Sequence, residues 1–168
     1  MIDALLDTIG NSMIGTLVAE SATAFPWIEV GHVLDIVVVF GSILLVDLRL
    51  IGLAARDPPL SFSRTIPPIT WGAFIVAVIT GGLMFTSNPH GYFDGYFDST
   101  MFRVKILLLV LAGLNMFVFH LFTMRGGRVS NGPGPLPGGA QIAGLFSMTL
   151  WLVIIACGRW IGFTMAPF

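Results

Sequence analysis

Long apolar runs separated by short polar segments dominate the chain. A helix needs about 20 mostly apolar residues to cross a bilayer, and four runs satisfy this, at about 27–55, 67–86, 102–124 and 141–165. Pro26 suits a first helical turn, and Pro67 and Pro68 are expected to open the second helix. The pattern predicts an all-α integral membrane protein in which residues 26–168 form a four-helix transmembrane bundle.

The first 25 residues follow a different pattern. Apolar residues recur at helical spacing from Ile2 to Ile9, and Gly10 and Gly15 interrupt the pattern further on. The continuous apolar stretch is too short for a span. We expect residues 1–25 to form an amphipathic, interfacial helix on the membrane surface.

Composition strengthens the membrane prediction. Hydrophobic residues make up 55% of the chain and charged residues 10%, whereas soluble domains are about 25% charged. The mean hydropathy is +0.90. A net charge of -1 provides no basic field for nucleic acid, so we expect membrane lipid as the principal environment, with no nucleic-acid partner.

The basic residues of the connections predict the orientation. Arginines follow the first and third runs, at Arg56, Arg64, Arg125 and Arg128, whereas residues 1–25 and 88–101 contain no Lys or Arg. Because basic connections stay in the cytoplasm, both termini are expected on the periplasmic side of a bacterial inner membrane. Such a chain is expected to be a homo-oligomer or a subunit of a membrane complex.

Ionisable residues near the periplasmic ends form the first candidate site. A charge at bilayer depth costs at least about 2.5–3.5 kcal/mol on insertion scales, so such residues usually face the bundle interior. The group comprises Glu29, His32, Asp35, Arg103, Lys105 and Arg159. Two simpler interpretations stay open: Arg103 and Arg159 reach the lipid headgroups, or Glu29 and Lys105 form a structural ion pair.

A second candidate site lies deeper. Asp47 follows His32 by 15 residues, and His120 follows Lys105 by the same 15, a step of about 22 Å along a helix. Asp47 and His120 therefore share a depth near the cytoplasmic face, with Met148 at the same level. This set is a candidate second site or proton path. The separation also prevents His32 and His120 from binding one haem between them.

The outer group suits haem b chemically. A histidine is a common axial ligand of haem iron, and the haem propionates favour cations. We expect His32 as an axial ligand and Lys105 as a second ligand or propionate contact. Arg103 and Arg159 would contact the propionates, and Glu29 would orient or charge-balance the site. A quinone headgroup or a proton relay also suits these residues.

Three segments carry a resemblance to a known family. The segment WIEVGH at 27–32, followed by DLRL at 47–50, resembles the first helix of the membrane-embedded four-helix protoporphyrinogen oxidases of bacteria. Residues 64–68 resemble the entry to their second helix, and residues 102–108 resemble their third. The wider group includes copper-resistance D-type membrane proteins and small bacterial relatives of unassigned function, and the DLRL form is typical of these relatives.

The resemblance covers roughly residues 27–124 and implies haem b binding. His32 matches the histidine and Lys105 the lysine considered important for the cofactor or the activity in that family. The leading hypothesis is a b-type haem protein that transfers electrons within the membrane, to or from quinone or a partner subunit. The alternatives are a protoporphyrinogen oxidase-like enzyme and a cofactor-free accessory or structural membrane subunit.

Overall fold

The computed structural model describes residues 1–53, 60–89, 95–119, 121 and 138–165, and all regular structure in these ranges is helical. The prediction of an all-α protein is confirmed for this part of the chain. The helices are α1 (Ile2–Gly10), α2 (Met13–Glu20), α3 (Ala24–Leu50), α4 (Leu60–Ser87), α5 (Thr100–Phe119) and α6 (Gly138–Met165).

Three of the long helices are long and apolar enough to cross a membrane. The qualifying segments are Ile66–Ser87 of α4, Thr100–Val118 of α5 and Gly138–Thr164 of α6. Their outward surfaces carry large apolar side chains, such as Ile75 and Ile79, which are more than half exposed. Lipid is the environment in which such surfaces are stable. The structure therefore supports a helical membrane protein with three apolar helices.

Helix α3 differs from these three in its charge. It has 27 residues, enough to cross a bilayer, but it contains Glu29, Asp35, Asp47 and Arg49. Asp47 is buried, whereas Glu29 lies on the surface. Pro26 lies in the first turn of α3, where its missing N–H costs nothing.

The long helices pack in a definite order. Helix α3 packs along α4 and α6, and α6 packs along α5, whereas the described backbones of α4 and α5 do not approach closely. Side chains reach across instead: Phe74 of α4 contacts Trp151 of α6 edge-on at 6.2 Å. The buried core is apolar and consists of Val39, Ile43, Ala112, Leu150, Trp151 and Ile154.

The start of α4 corrects one sequence prediction. The helix begins at Leu60, and Pro67 and Pro68 lie inside it, so the prediction that these prolines open the helix is wrong. Proline favours a first turn but does not forbid a helical turn before it. Proline is tolerated within membrane helices because neighbouring groups satisfy the freed carbonyls.

The N-terminal segment folds as two short helices against the end of α4. Ser12 caps α2 by accepting a hydrogen bond from the backbone N–H of Gly15, with a separation of 3.1 Å. Leu6 and Val18 are buried. A Cβ on Gly15 would lie 2.7 Å from the carbonyl oxygen of Thr86. The backbone of α2 is therefore in direct contact with the last turn of α4.

Some sequence predictions fall outside the described residues. They concern His120, the basic connections at Arg56, Arg125 and Arg128, and the ends of the first and third spans at 55 and 124.

Gly144 sets the distance between α3 and α6. A Cβ at this position would lie 3.0 Å from Leu50 Cβ and 3.3 Å from the backbone oxygen of Asp47. Neither atom can rotate away, because one is a Cβ and the other belongs to the main chain. The glycine therefore permits the close approach of these two helices.

We expect Gly144→Ala to destabilise the protein. Overpacking typically costs about 1–3 kcal/mol, which outweighs the helix-propensity gain of about 1 kcal/mol from Gly to Ala. The matched control is Gly139→Ala, since a Cβ at Gly139 meets nothing within 4 Å. Thermal unfolding in detergent, followed by circular dichroism, measures both. Equal or higher stability of Gly144→Ala relative to Gly139→Ala would contradict the contact.

Candidate functional site

His32 is held against α4 through one ring nitrogen. Its Nδ1 lies 2.9 Å from Thr80 Oγ1. The Thr80 hydroxyl also lies 2.9 Å from the Val76 carbonyl oxygen and 3.2 Å from the Ala77 carbonyl oxygen, so its hydrogen has acceptors on its own helix. When Nδ1 is the donor to Thr80 Oγ1, the neutral imidazole carries its lone pair on Nε2, the form that binds metals.

Gly81 provides the room for the imidazole ring. A Cβ on Gly81 would lie 3.0 Å from His32 Cε1 and within 3.7 Å of both ring nitrogens. The ring thus lies directly on the α4 backbone. Thr80 and Gly81 together fix the position of the imidazole against α4.

Lys105 lies in a similar way across α6. A Cβ on Gly158 would lie 3.2 Å from Lys105 Nζ and 3.6 Å from Lys105 Cε. The side chain is half-buried. Its ammonium forms no hydrogen bond or ion pair with another described residue. His32 and Lys105 thus each lie beside a glycine of a neighbouring helix, Gly81 of α4 and Gly158 of α6.

The other predicted outer residues lie at the rim. Arg103 is exposed in the first turn of α5, where its guanidinium is 3.5 Å from the Asp98 carbonyl oxygen. Arg159 is exposed with its guanidinium carbon 4.5 Å from the centre of the Phe163 ring. Glu29 is also exposed. These side chains surround the end of the helices and do not contact the His32 ring.

An aromatic cluster joins the outer ends of α4 and α5. Phe85 and Phe102 stack with ring centroids 5.3 Å apart, and Tyr96 lies against both rings. Burial raises the pKa of the Tyr96 phenol, and the nearby charge of Glu29 raises it further. Tyr96 therefore stays neutral beside Glu29 and covers this end of the helices.

The inner candidate site is only partly described. Asp47 is 3% exposed, and its carboxyl interacts with Ser147 of α6. Met148 follows Ser147 and is half-buried. Asp47 of α3 and Met148 of α6 therefore lie at a similar depth, whereas His120 lies outside the described residues.

The donor set can be compared with metal chemistry. Within the described ranges, no group of three or more His, Cys, Asp or Glu side chains is placed to hold a metal ion. A haem requires fewer protein ligands, because the porphyrin supplies the in-plane nitrogens and the protein supplies the axial ones. One imidazole with its Nε2 lone pair available fits haem iron, and the neighbouring cations fit propionates.

Sequence reasoning missed three members of this site. Thr80, Gly81 and Gly158 lie in apolar helices, where glycines first suggest close packing between helices. The two glycines instead lie beneath His32 and Lys105. The depth of the two glycines along their helices could have indicated this role. Each glycine lies at the level of a half-buried polar residue on another helix.

Comparison with known proteins gives one match. A family model described as DUF6644, a family of unknown function, matches residues 6–164. No curated protein matches the chain, and no solved structure matches it.

Proposed function

The chain belongs to DUF6644, a family of unknown function, and we propose that it is a b-type haem protein of the bacterial inner membrane. It transfers electrons within the membrane, to or from quinone or a partner subunit. The proposal joins the site geometry to the resemblance of residues 27–124 to membrane-embedded haem proteins. Bound haem b supplies one-electron redox chemistry.

The observation that carries the proposal is the hydrogen bond between His32 and Thr80. The 2.9 Å separation suits Nδ1 as the donor, and in that tautomer Nε2 carries the lone pair that would bind iron. Metal-bound histidines almost always donate their other ring N–H to an acceptor. His32 already has this second interaction in place.

The cations provide the remaining contacts. Lys105 would hold the haem either as a second iron ligand, through its neutral amine, or as a propionate contact, through its ammonium. Its Nζ forms neither a hydrogen bond nor an ion pair with a described residue. Arg103 and Arg159 are exposed near the helix ends and provide propionate contacts at the membrane edge. Glu29, exposed nearby, balances their charge. The site therefore takes its metal ligand from inside the membrane and its anion contacts from the rim.

We further propose that α3 is the fourth membrane-spanning helix. Its length suffices, and it packs along both α4 and α6. The polar groups His32 and Asp47 meet α4 and α6 respectively, which reduces the cost of placing them at bilayer depth. In this four-helix bundle both termini are periplasmic, and α1 and α2 lie at the membrane surface.

The test is a visible spectrum of the gently solubilised full chain, before and after dithionite, with a pyridine haemochrome assay. A Soret band and a sharpened α-band on reduction support b-type haem. Protein expressed with ample haem that shows no chromophore rejects the proposal in favour of a cofactor-free accessory subunit. If haem is present, oxidation of added protoporphyrinogen by the same preparation distinguishes the oxidase-like alternative from electron transfer alone.

We expect Thr80→Val to weaken haem binding while retaining the fold. Valine has a similar shape but accepts no hydrogen bond, so the Nδ1–H of His32 loses its partner. Loss of an outer partner of a metal-bound histidine typically lowers affinity by about 10–100-fold. Haem titration of the apoprotein measures the change. Thr149→Val is the control, because the exposed Thr149 hydroxyl bonds only the Leu145 carbonyl of its own helix. Equal affinities would show that Thr80 does not position the ligand.

A further inference from the structure

Asp47 is the most deeply buried ionisable side chain among the described residues. It is 3% exposed and lies on the face of α3 that meets α6, where the backbone oxygen of Asp47 approaches Gly144. One carboxyl oxygen, Oδ2, is buried with no hydrogen-bond partner. The contact between α3 and α6 therefore encloses a carboxyl group with one oxygen that forms no hydrogen bond.

The helices that pack against Asp47 carry no counter-charge to it in their described side chains. Helix α6 has no ionisable residue from Gly138 to Ala156, and α4 has none from Ile66 onward. Ser147 is the polar group that interacts with the carboxyl. Arg49 has an interaction of its own and lies two positions along α3 from Asp47, a spacing at which side chains do not face each other. The side chain of Arg64, at the start of α4, lies outside the described set.

An ionised carboxylate in these surroundings is unstable. Burial of an unpaired charge costs far more than burial of a neutral polar group, and such a group neutralises instead. The neutral acid requires no counter-charge, and its O–H is available as a donor. The burial of Asp47 and the lack of a facing cation among the described side chains of α4 and α6 both favour the protonated form.

We propose that Asp47 is a proton-binding site at the inner end of the helices. Its carboxyl is held as the neutral acid within the α3–α6 contact and exchanges its proton with the nearby aqueous phase. Access is short, because α3 ends at Leu50, three residues or about 4.5 Å further along the axis. The site lies about 22 Å along α3 from His32 and does not depend on haem.

The test is infrared spectroscopy of the full chain in liposomes at pH 6, where exposed carboxyl groups are already ionised. A protonated carboxyl absorbs in a carbonyl region separate from that of carboxylates. We expect the wild type to show this free-acid band and Asp47→Asn to lose it. Asp7→Asn, which alters an exposed aspartate, and Asp35→Asn, which alters a half-buried one on the same helix, should retain it. Identical spectra for the wild type and Asp47→Asn overturn the proposal.

If Asp47→Asn does not fold, a second measurement tests the same proposal on the wild-type chain. Wild-type chain prepared with carbon-13 in the aspartate carboxyl should shift the free-acid band, and the band should persist in labelled Asp35→Asn. Absence of a shifting band at pH 6 overturns the proposal. Raising the pH should remove the free-acid band reversibly, because the carboxyl group releases its proton and becomes a carboxylate.

Discussion

Replacing His32 with alanine is expected to abolish haem binding while leaving the helices folded. The imidazole is the one histidine ring within the described residues, and its Nδ1 lies 2.9 Å from Thr80 Oγ1. Alanine removes the iron ligand and leaves the rest of α3 intact. The pyridine haemochrome assay on purified variants gives the haem content per chain, and circular dichroism verifies the helix content.

The other two histidines provide matched controls. His90→Ala and His120→Ala each remove one imidazole from the same chain, and full haem content is expected in both. His32→Gly adds a sharper readout, because added imidazole can enter the space left beside Gly81 and restore the spectrum. Full haem in His32→Ala, or loss of haem in His120→Ala alone, would contradict the assignment of the ligand.

Replacing Gly15 with valine is expected to detach α1 and α2 from the end of α4. A Cβ at this position would lie 2.5 Å from the carbonyl oxygen of Gly10, 2.7 Å from that of Thr86 and 2.8 Å from that of Ile9. All three atoms belong to the main chain, so no side chain can move to relieve the overlap. The cost should reach or exceed the upper end of the about 1–3 kcal/mol typical of overpacking.

Hydrogen exchange followed by mass spectrometry measures this detachment. Peptides from residues 1–22 should lose protection in Gly15→Val, whereas peptides from α5 and α6 should keep it. Gly31→Val is the control, because a Cβ at Gly31 meets nothing within 4 Å. Unchanged protection of residues 1–22 in Gly15→Val would show that this contact does not hold the N-terminal helices.

The apolar pattern predicted the helical class and the approximate position of each long helix. It succeeded because an apolar run of about 20 residues has few stable alternatives to a membrane helix. It failed at the start of α4, where Pro67 and Pro68 lie within the helix. Local proline preference is a weak signal there, because the surrounding helices decide whether a preceding turn forms.

The candidate site was predictable only in part. The shared depth of His32 and Lys105 was predicted from helical rise and topology, and the structure shows which neighbouring glycine each side chain lies against. The hydrogen bond to Thr80 was not predictable, because it depends on the rotation of α4 about its axis. The same rotation decides which glycine lies beneath the imidazole. Sequence periodicity gives little information on that rotation when a helix is apolar on every side.

The two glycine contacts carry an expectation about evolution. His32 rests on Gly81, and Lys105 rests on Gly158, so neither glycine can acquire a side chain while its polar neighbour keeps the same position. Substitutions at these positions are therefore coupled in pairs: relatives that retain the histidine should retain the first glycine, and those that retain the lysine should retain the second. Gly82, where a Cβ would meet nothing within 4 Å, should vary among relatives independently of either polar residue. Relatives in which both members of a pair are replaced would be those that no longer use the site.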